Sequence, residues 1–260
     1  MNIIVFIFGL IVGSFVNVLV YRLPREQGFV KGRSRCPRCR KKLWWGDLIP
    51  VASFIWLKGQ CRYCHKPISW RYPVVELISG LIFLLSWVYL APWGVGGVFF
   101  FIFLLETMLV LALIDMAFLL LLDKVMLFGL GGTLLYGVLE IMGGVPKTVG
   151  IISWSHLLSA IFFLALLGSL WFISHGRWIG LGDAKLMAWL GLIFGWTGAW
   201  IILYAAIVIG GIISLGLYLS KKASLKTKLP LGTFICAAVG LYIFLGSTII
   251  QQLNFYLIFR

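Results

Sequence analysis

Apolar stretches alternate with short polar stretches along most of this chain. Most of the apolar stretches approach the ~20 residues that an α-helix needs to cross ~30 Å of hydrocarbon. The pattern predicts an all-α polytopic membrane protein with about eight transmembrane helices. We expect these helices at 2–21, 74–90, 98–120, 125–142, 154–174, 183–194, 199–219 and 230–256.

One polar and basic segment, 22–73, interrupts the apolar pattern after the first helix. The predicted domains are therefore a first transmembrane helix at 1–21, a small extramembrane domain at 22–73 and a transmembrane domain at 74–260. The first twenty residues lack a basic leader and a small-residue cleavage site, so we expect a retained helix rather than a removed signal peptide.

Composition supports the membrane class. The chain has 260 residues, of which 62% are hydrophobic and only 12% are charged. Soluble domains usually carry about a quarter charged residues. A soluble fold of this size could not bury so much apolar surface.

The net charge of +14 raises the alternative of nucleic-acid binding. However, 13 of the 22 Lys and Arg residues lie between Arg22 and Arg71, and four more lie between Lys221 and Lys228. If 22–73 is cytoplasmic, alternating helices leave only Lys147 and Arg260 outside. The positive-inside rule then explains the charge, and we expect no nucleic-acid partner. The N-terminus is predicted outside.

Four cysteines in the polar segment form two C-x-x-C pairs, Cys36 with Cys39 and Cys61 with Cys64. Two such pairs supply the four thiolates of a tetrahedral structural zinc site. A reducing cytoplasm argues against the alternative of disulfides. His65 could substitute as a ligand, but four cysteines make it unnecessary. Cys236 lies in a predicted helix and is expected to pack there.

Two of the eight acidic residues are the candidate catalytic groups, because carboxylates within membrane helices are costly and usually functional. Asp115 lies in unbroken apolar sequence near the end of the third helix. Asp183 follows Gly180 and Gly182 at the start of the sixth, where an ordinary helix-capping role is the alternative. Both are expected at the cytoplasmic face. Held together, they would share a proton and act as acid and base.

Asp123 competes with Asp115 for the first catalytic position. It precedes Lys124 in a predicted loop, where a solvated or helix-capping role would suffice. We rank Asp115 first because of its membrane placement. Glu106 lies nine residues before Asp115 and so about 180° around the same helix, which excludes it as a partner.

The ordered motifs of the chain together resemble the type IV prepilin peptidases. These motifs are Gly13-Ser-Phe-Val-Asn17, Tyr21-Arg-Leu-Pro24, the two C-x-x-C pairs, Pro67-Ile-Ser-x-Arg71-Tyr-Pro-x-Val-Glu76, Ile114-Asp115, Gly180-Leu-Gly-Asp-Ala-Lys-Leu186 and Pro230-Leu-Gly-Thr-Phe234. The resemblance covers nearly the whole chain.

The resemblance implies an aspartyl endopeptidase of the bacterial inner membrane that removes the leader peptides of prepilins and pseudopilins. By motif position it places the catalytic pair on Asp115 and Asp183, with Gly180, Gly182, Lys185 and Asp123 as supporting residues. It places zinc on the four paired cysteines. Many members of that family also methylate the new N-terminus with S-adenosylmethionine, which would be a second cofactor.

The sequence is also compatible with two other classes of protein. A transporter would carry ionisable residues near the bilayer midplane, whereas the acids here are predicted at one face. An inactive pilus-assembly adaptor would retain the zinc domain without catalysis. The sequence indicates neither the oligomeric state nor which prepilin is cleaved.

Overall fold

The computed structural model describes residues 1–28, 34–145, 153–221 and 229–246. The described residues are mostly helical, with two isolated β-bridges and a largely non-helical stretch at 34–70. The α-helices are α1 (Asn2–Arg22), α2 (Ala52–Trp56), α3 (Arg71–Tyr89), α4 (Gly94–Phe118), α5 (Asp123–Ile141), α6 (Trp154–Ser174), α7 (Leu181–Leu219) and α8 (Leu231–Leu241), the last continued by a π-helical turn over Tyr242–Gly246.

Six of these helices are long and apolar enough to cross a membrane, namely α1, α3, α4, α5, α6 and α7. The shorter apolar helix α8 follows them. The predicted all-α polytopic class is therefore confirmed. Parts of the prediction lie outside the described residues: the end of the last helix beyond 246, Lys147, Arg260 and the lysines of 222–228.

Helix α7 is 39 residues long, about 58 Å at 1.5 Å per residue, roughly twice the thickness of a bilayer core. It is interrupted at Gly195, whose φ of 64° and ψ of −164° are not helical. We call 181–194 α7a and 196–219 α7b. The break explains why the sequence predicts two helices here.

Contacts with α6 show that the chain reverses at this break. A methyl group on Gly195 would lie 2.8 Å from the His156 ring, and one on Gly191 would lie 3.0 Å from the Ser159 hydroxyl. Helix α7a therefore runs antiparallel to α6. Further along α6, the Phe163 ring is 5.1 Å from that of Trp200. Helix α7b therefore runs parallel to α6.

Helix α8 runs back along α7b. A methyl group on Gly210 would lie 2.8 Å from the Phe234 ring, and one on Gly198 would lie 2.9 Å from the Tyr242 hydroxyl. These contacts make the two helices antiparallel. The start of α8 consequently lies at the same end as the start of α7a.

The chain divides into two compact units, Met1–Ile102 and Phe103–Arg260. In the first unit α1 and α3 form a close antiparallel pair. Methyl groups on Gly9 and Gly13 would lie 2.8 Å from the Gly80 backbone and 2.7 Å from the Glu76 backbone, respectively. Small residues allow this approach, as is common between membrane helices.

The most buried membrane helix is α4, which carries the core of the second unit. In the candidate span Ala91–Phe118, 67% of the most apolar window is buried inside the protein. Fully buried side chains of the second unit concentrate on α4 and α7a, among them Leu104, Leu111, Ile114, Leu186 and Ile193. The ends of these two helices carry the predicted catalytic carboxylates.

Candidate active site

Asp115 lies in the last turn of α4 and is 5% exposed. Thr233 donates to its Oδ2 atom from two groups, the backbone N–H at 2.7 Å and the hydroxyl at 3.1 Å. The Thr233 hydroxyl is also 3.1 Å from the carbonyl oxygen of Ala112, one turn earlier in α4. One residue of α8 therefore fixes the orientation of the Asp115 carboxylate.

Thr233 can donate its backbone N–H because it lies in the first turn of α8. The first N–H groups of an α-helix have no partner within the helix, and they carry the positive end of its dipole. Asp115 therefore meets a helix terminus whose donors suit a carboxylate.

Asp183 is in the first turn of α7a and is 9% exposed. Its Oδ2 atom accepts a hydrogen bond of 3.2 Å from the Gly180 N–H. The backbone N–H of Asp183 in turn donates to the Gly180 carbonyl at 3.1 Å. Gly180, rather than Asp183, is the N-cap residue of α7. Asp183, at the third helical position, accepts from the Gly180 N–H, and this bond holds its carboxylate at the start of α7a.

Leu121, in the α4–α5 connection, packs against the first turns of α7a and α8. A methyl group on Gly182 would lie 2.9 Å from its Cβ atom, and one on Gly232 would lie 2.9 Å from its Cδ1 atom. The methyl group on Gly232 would also lie 3.0 Å from Oδ2 of Asp115. The glycines therefore permit close packing beside both carboxylates. Through Leu121, the turn that carries Asp183 and the turn that holds Asp115 pack against the same side chain.

Two buried carboxylates within electrostatic range cannot both ionise easily, so they tend to share one proton. Such a pair presents a base and an acid at the same pH, which suits water-mediated hydrolysis of an amide. The structure brings together Asp115, Asp183, Gly180 and Gly182 from the predicted set.

Asp123 and Lys185 occupy a different environment. Lys185 Nζ and Asp123 Oδ1 form an ion pair at 2.8 Å, and the Asp123 side chain is 60% exposed. The pair links the start of α5 to the first turns of α7a. Its solvent exposure indicates a surface contact rather than a buried acid–base pair.

The second site is the cysteine cluster of the first unit. The Sγ atoms of Cys36, Cys39, Cys61 and Cys64 all lie within 4.8 Å of one another. The Cys36 and Cys64 sulfurs are 4.0 Å apart. Tetrahedral zinc with Zn–S bonds of about 2.3 Å separates sulfurs by about 3.8 Å. The four thiols therefore fit a zinc ion, as the spacing predicts.

The two halves of this cluster repeat one backbone pattern. The Cys36 N–H donates to the Lys41 carbonyl at 3.0 Å, and the Cys61 N–H donates to the Lys66 carbonyl at 3.0 Å. His65, which has a φ of 53°, closes the second turn with its N–H 2.9 Å from the Cys61 carbonyl. It acts there as a turn residue, and the four-atom cluster consists of cysteine sulfurs alone among the described residues.

The environment of Cys36 favours its thiolate. Burial raises the pKa of this thiol, but hydrogen bonds from the backbone of Cys39 and Arg38 and from the Cys61 thiol outweigh burial and lower the pKa to about 7. One thiol of the cluster therefore ionises near neutral pH, which is the form that binds metal.

Thr233 and Leu121 were not identified from the sequence as site residues. Thr233 lies within the Pro230–Phe234 motif, where no role was predicted for it. Leu121 is one of many apolar residues in the chain. A polar residue in the first turn of a helix was the available signal for Thr233, because such turns bind anions. Leu121 carried no chemical signal.

Comparisons with known proteins identify the family of this chain. Residues 7–90 match the bacterial peptidase A24 N-terminal domain, and residues 99–215 match the type IV leader peptidase family. The chain is 30% identical over 275 residues to the prepilin leader peptidase/N-methyltransferase of Aeromonas salmonicida (strain A449), covering 95% of this chain and 91% of that protein. The chain belongs to the type IV leader peptidase family.

Other type IV leader peptidases are similarly close. The chain is 29% identical over 253 residues to the Bacillus subtilis (strain 168) prepilin leader peptidase/N-methyltransferase, covering 95% of this chain and 96% of that one. It is 36% identical over 203 residues to the Klebsiella pneumoniae protein of the same name. This match covers 74% of this chain and 84% of that protein. No solved structure gives a significant match. Thr233 lies beyond the 99–215 match but opens α8 beside Asp115.

Proposed function

We propose that this chain is a membrane aspartyl endopeptidase that removes the leader peptide of type IV prepilins or pseudopilins. The observation that carries the proposal is the pair of buried carboxylates, Asp115 on α4 and Asp183 on α7a, in a member of the type IV leader peptidase family. The family match does not favour the alternatives of a transporter or an inactive adaptor.

The hydrogen bonds suggest which carboxylate is the base. Asp115 receives two donors from Thr233, whereas Oδ2 of Asp183 receives the Gly180 N–H. Donors aimed at a carboxylate favour its charged form. We therefore assign Asp115 as the base that takes a proton from water. Asp183 then gives its proton to the oxyanion or the leaving amine after the hydroxide attacks the scissile carbonyl.

The membrane setting indicates how the substrate reaches the site and where it is cleaved. A prepilin has a basic leader and an apolar helical body, so it can reach the site by lateral diffusion in the bilayer. The position of both carboxylates near helix ends supports cleavage at the membrane face rather than at the midplane. The basic loops predict that this face is cytoplasmic and that the N-terminus is outside.

Zinc is the metal that we assign to the four-cysteine cluster. Four thiolates close a tetrahedral coordination sphere and leave no position for a substrate, so the ion would have a structural role. Its function would be to hold together a segment that is too short to form a large core. Zinc is outside the proposed cleavage step.

Methylation of the new N-terminus is a second proposed activity. The related proteins carry N-methyltransferase in their names, and S-adenosylmethionine would be the methyl donor. The two activities are chemically separate, because amide hydrolysis needs only water and the carboxylate pair.

The test uses purified full-length protein in bilayer nanodiscs with a synthetic prepilin, with and without S-adenosylmethionine. Mass spectrometry should show a leader and a shortened pilin in both reactions, and the added mass of one methyl group only with the donor. Absence of leader cleavage in both reactions would overturn the peptidase assignment. Cleavage without methylation would overturn only the second activity.

A further inference from the structure

Three large apolar side chains are strongly exposed near one end of the α1–α3 pair. They are Ile55 at 69%, Trp56 at 83% and Trp70 at 73% exposure, and we call them the apolar rim. The Phe54 ring is 4.8 Å from the Trp70 ring, so α2 lies directly beside the residue that precedes α3. The rim is therefore one local surface.

The apolar rim lies in the segment that connects α1 to α3. Because α1 and α3 are antiparallel, α1 ends at Arg22 at the same end of the pair where α3 begins at Arg71. Both attachment points of the connecting segment therefore lie at this end of the pair.

A part-buried hydrogen bond holds the start of α2 against α3. The Val51 N–H, immediately before α2, donates to Oε2 of Glu76 at 2.8 Å. Glu76 is buried and lies five residues after Arg71, or about 7.5 Å along the helix axis. Helix α2 therefore begins level with the first turns of α3, where headgroups would surround the helix pair.

Cations follow the exposed aromatic residues along the chain. Lys58 comes two residues after Trp56, and Arg71 comes directly after Trp70, and both side chains are exposed. Trp together with Lys or Arg is the composition of membrane–water interfaces, where the ring occupies the headgroup level and the cation meets lipid phosphate. An apolar face with adjacent cations fits a negatively charged lipid surface.

We propose that the apolar rim inserts into the headgroup region of the adjacent leaflet and binds anionic lipid. The rim then holds α2 and the start of α3 at the bilayer surface, with the Cys61–Cys64 turn outside the headgroup layer. This role is independent of the proposed peptidase activity, because it concerns residues of the first unit and needs no substrate.

The experiment uses the full-length protein with Trp56 replaced by the photoreactive residue p-benzoylphenylalanine. A matched control carries the same residue in place of Tyr63, which is exposed within the Cys61–Cys64 turn. Both proteins are placed in nanodiscs of phosphatidylcholine with phosphatidylglycerol and irradiated. Mass spectrometry then measures the fraction linked to lipid. Circular dichroism verifies that both variants keep their helical content.

The proposal predicts a lipid-linked fraction at position 56 at least about five-fold above that at position 63, since only the first probe would sit in the headgroup layer. Adding Lys58→Glu should lower the phosphatidylglycerol share of the adducts at position 56. Equal lipid labelling at the two positions would overturn the proposal. Labelling at position 56 mainly of a second copy of the chain would overturn it in favour of a protein interface.

Discussion

Thr233 holds Asp115 through two donors on one oxygen atom, its N–H at 2.7 Å and its hydroxyl at 3.1 Å from Oδ2. The donors come from α8 and the carboxylate from α4, so the last described helix completes a site that otherwise consists of Asp115 and Asp183. Thr233 is thus a positioning residue in the proposed mechanism.

Replacing Thr233 with Val should lower kcat for leader cleavage about 10-fold or more, because a hydrogen bond to a charged group contributes about 1.5–3 kcal/mol. Thr233→Ser retains the hydroxyl and should stay within about three-fold of the unaltered protein. KM should change little in both variants, since the lost interaction orients the base. Steady-state cleavage kinetics measure both parameters. Equal activity of the Val and Ser variants would contradict the positioning role.

Replacing Gly232 with Ala should also impair cleavage, by about 10-fold in kcat. The added methyl group would lie 3.0 Å from Oδ2 of Asp115 and 2.9 Å from Leu121, so the carboxylate must shift. Gly211→Ala is a matched control, because a methyl group on Gly211 meets nothing within 4 Å. Its activity should stay within about two-fold. An equally active Gly232→Ala variant would show that the close packing is not needed.

The exposed pair of Asp123 and Lys185 should contribute little to catalysis. Surface ion pairs are typically worth about 0–1 kcal/mol, so Asp123→Asn should keep cleavage activity within about three-fold. The same assay compares this variant with Asp115→Asn. Loss of cleavage in Asp123→Asn with retained cleavage in Asp115→Asn would show that Asp123, and not Asp115, is the catalytic aspartate.

The double variant Cys36→Ser, Cys39→Ser should lose its zinc. Metal content measured by plasma mass spectrometry should fall from about one zinc per chain to below ~0.1, because two of the four thiolate ligands are gone. Cys236→Ser is the control, since Cys236 is buried in α8 outside the four-sulfur cluster. Iron in the unaltered protein, or the same metal content in both variants, would contradict the zinc assignment.

The apolar pattern was sufficient to predict the fold class, because a membrane-spanning backbone must form helices and long apolar stretches mark them. It also predicted the break in α7, since Gly195 through Gly198 carried turn signals inside apolar sequence. The cysteine cluster was predictable from spacing, because ligand geometry restricts the loop between paired thiolates.

The contacts that complete the candidate site could not be predicted in this way. Thr233 is 118 residues from Asp115 in sequence, and Leu121 meets Gly182 and Gly232 only after three helix ends converge. Periodicity describes one helix at a time, whereas these contacts depend on which helices become neighbours. The Val51–Glu76 hydrogen bond likewise links a loop to a distant helix turn.

The central claim is that Asp115 and Asp183 together perform the cleavage. It is tested most directly by the kcat/KM of purified Asp115→Asn and Asp183→Asn variants on one synthetic prepilin, with helical content and zinc verified for each. Removal of either acid–base group should lower kcat/KM about 10³-fold or more. Cleavage by either folded variant at near the rate of the unaltered protein would contradict the claim.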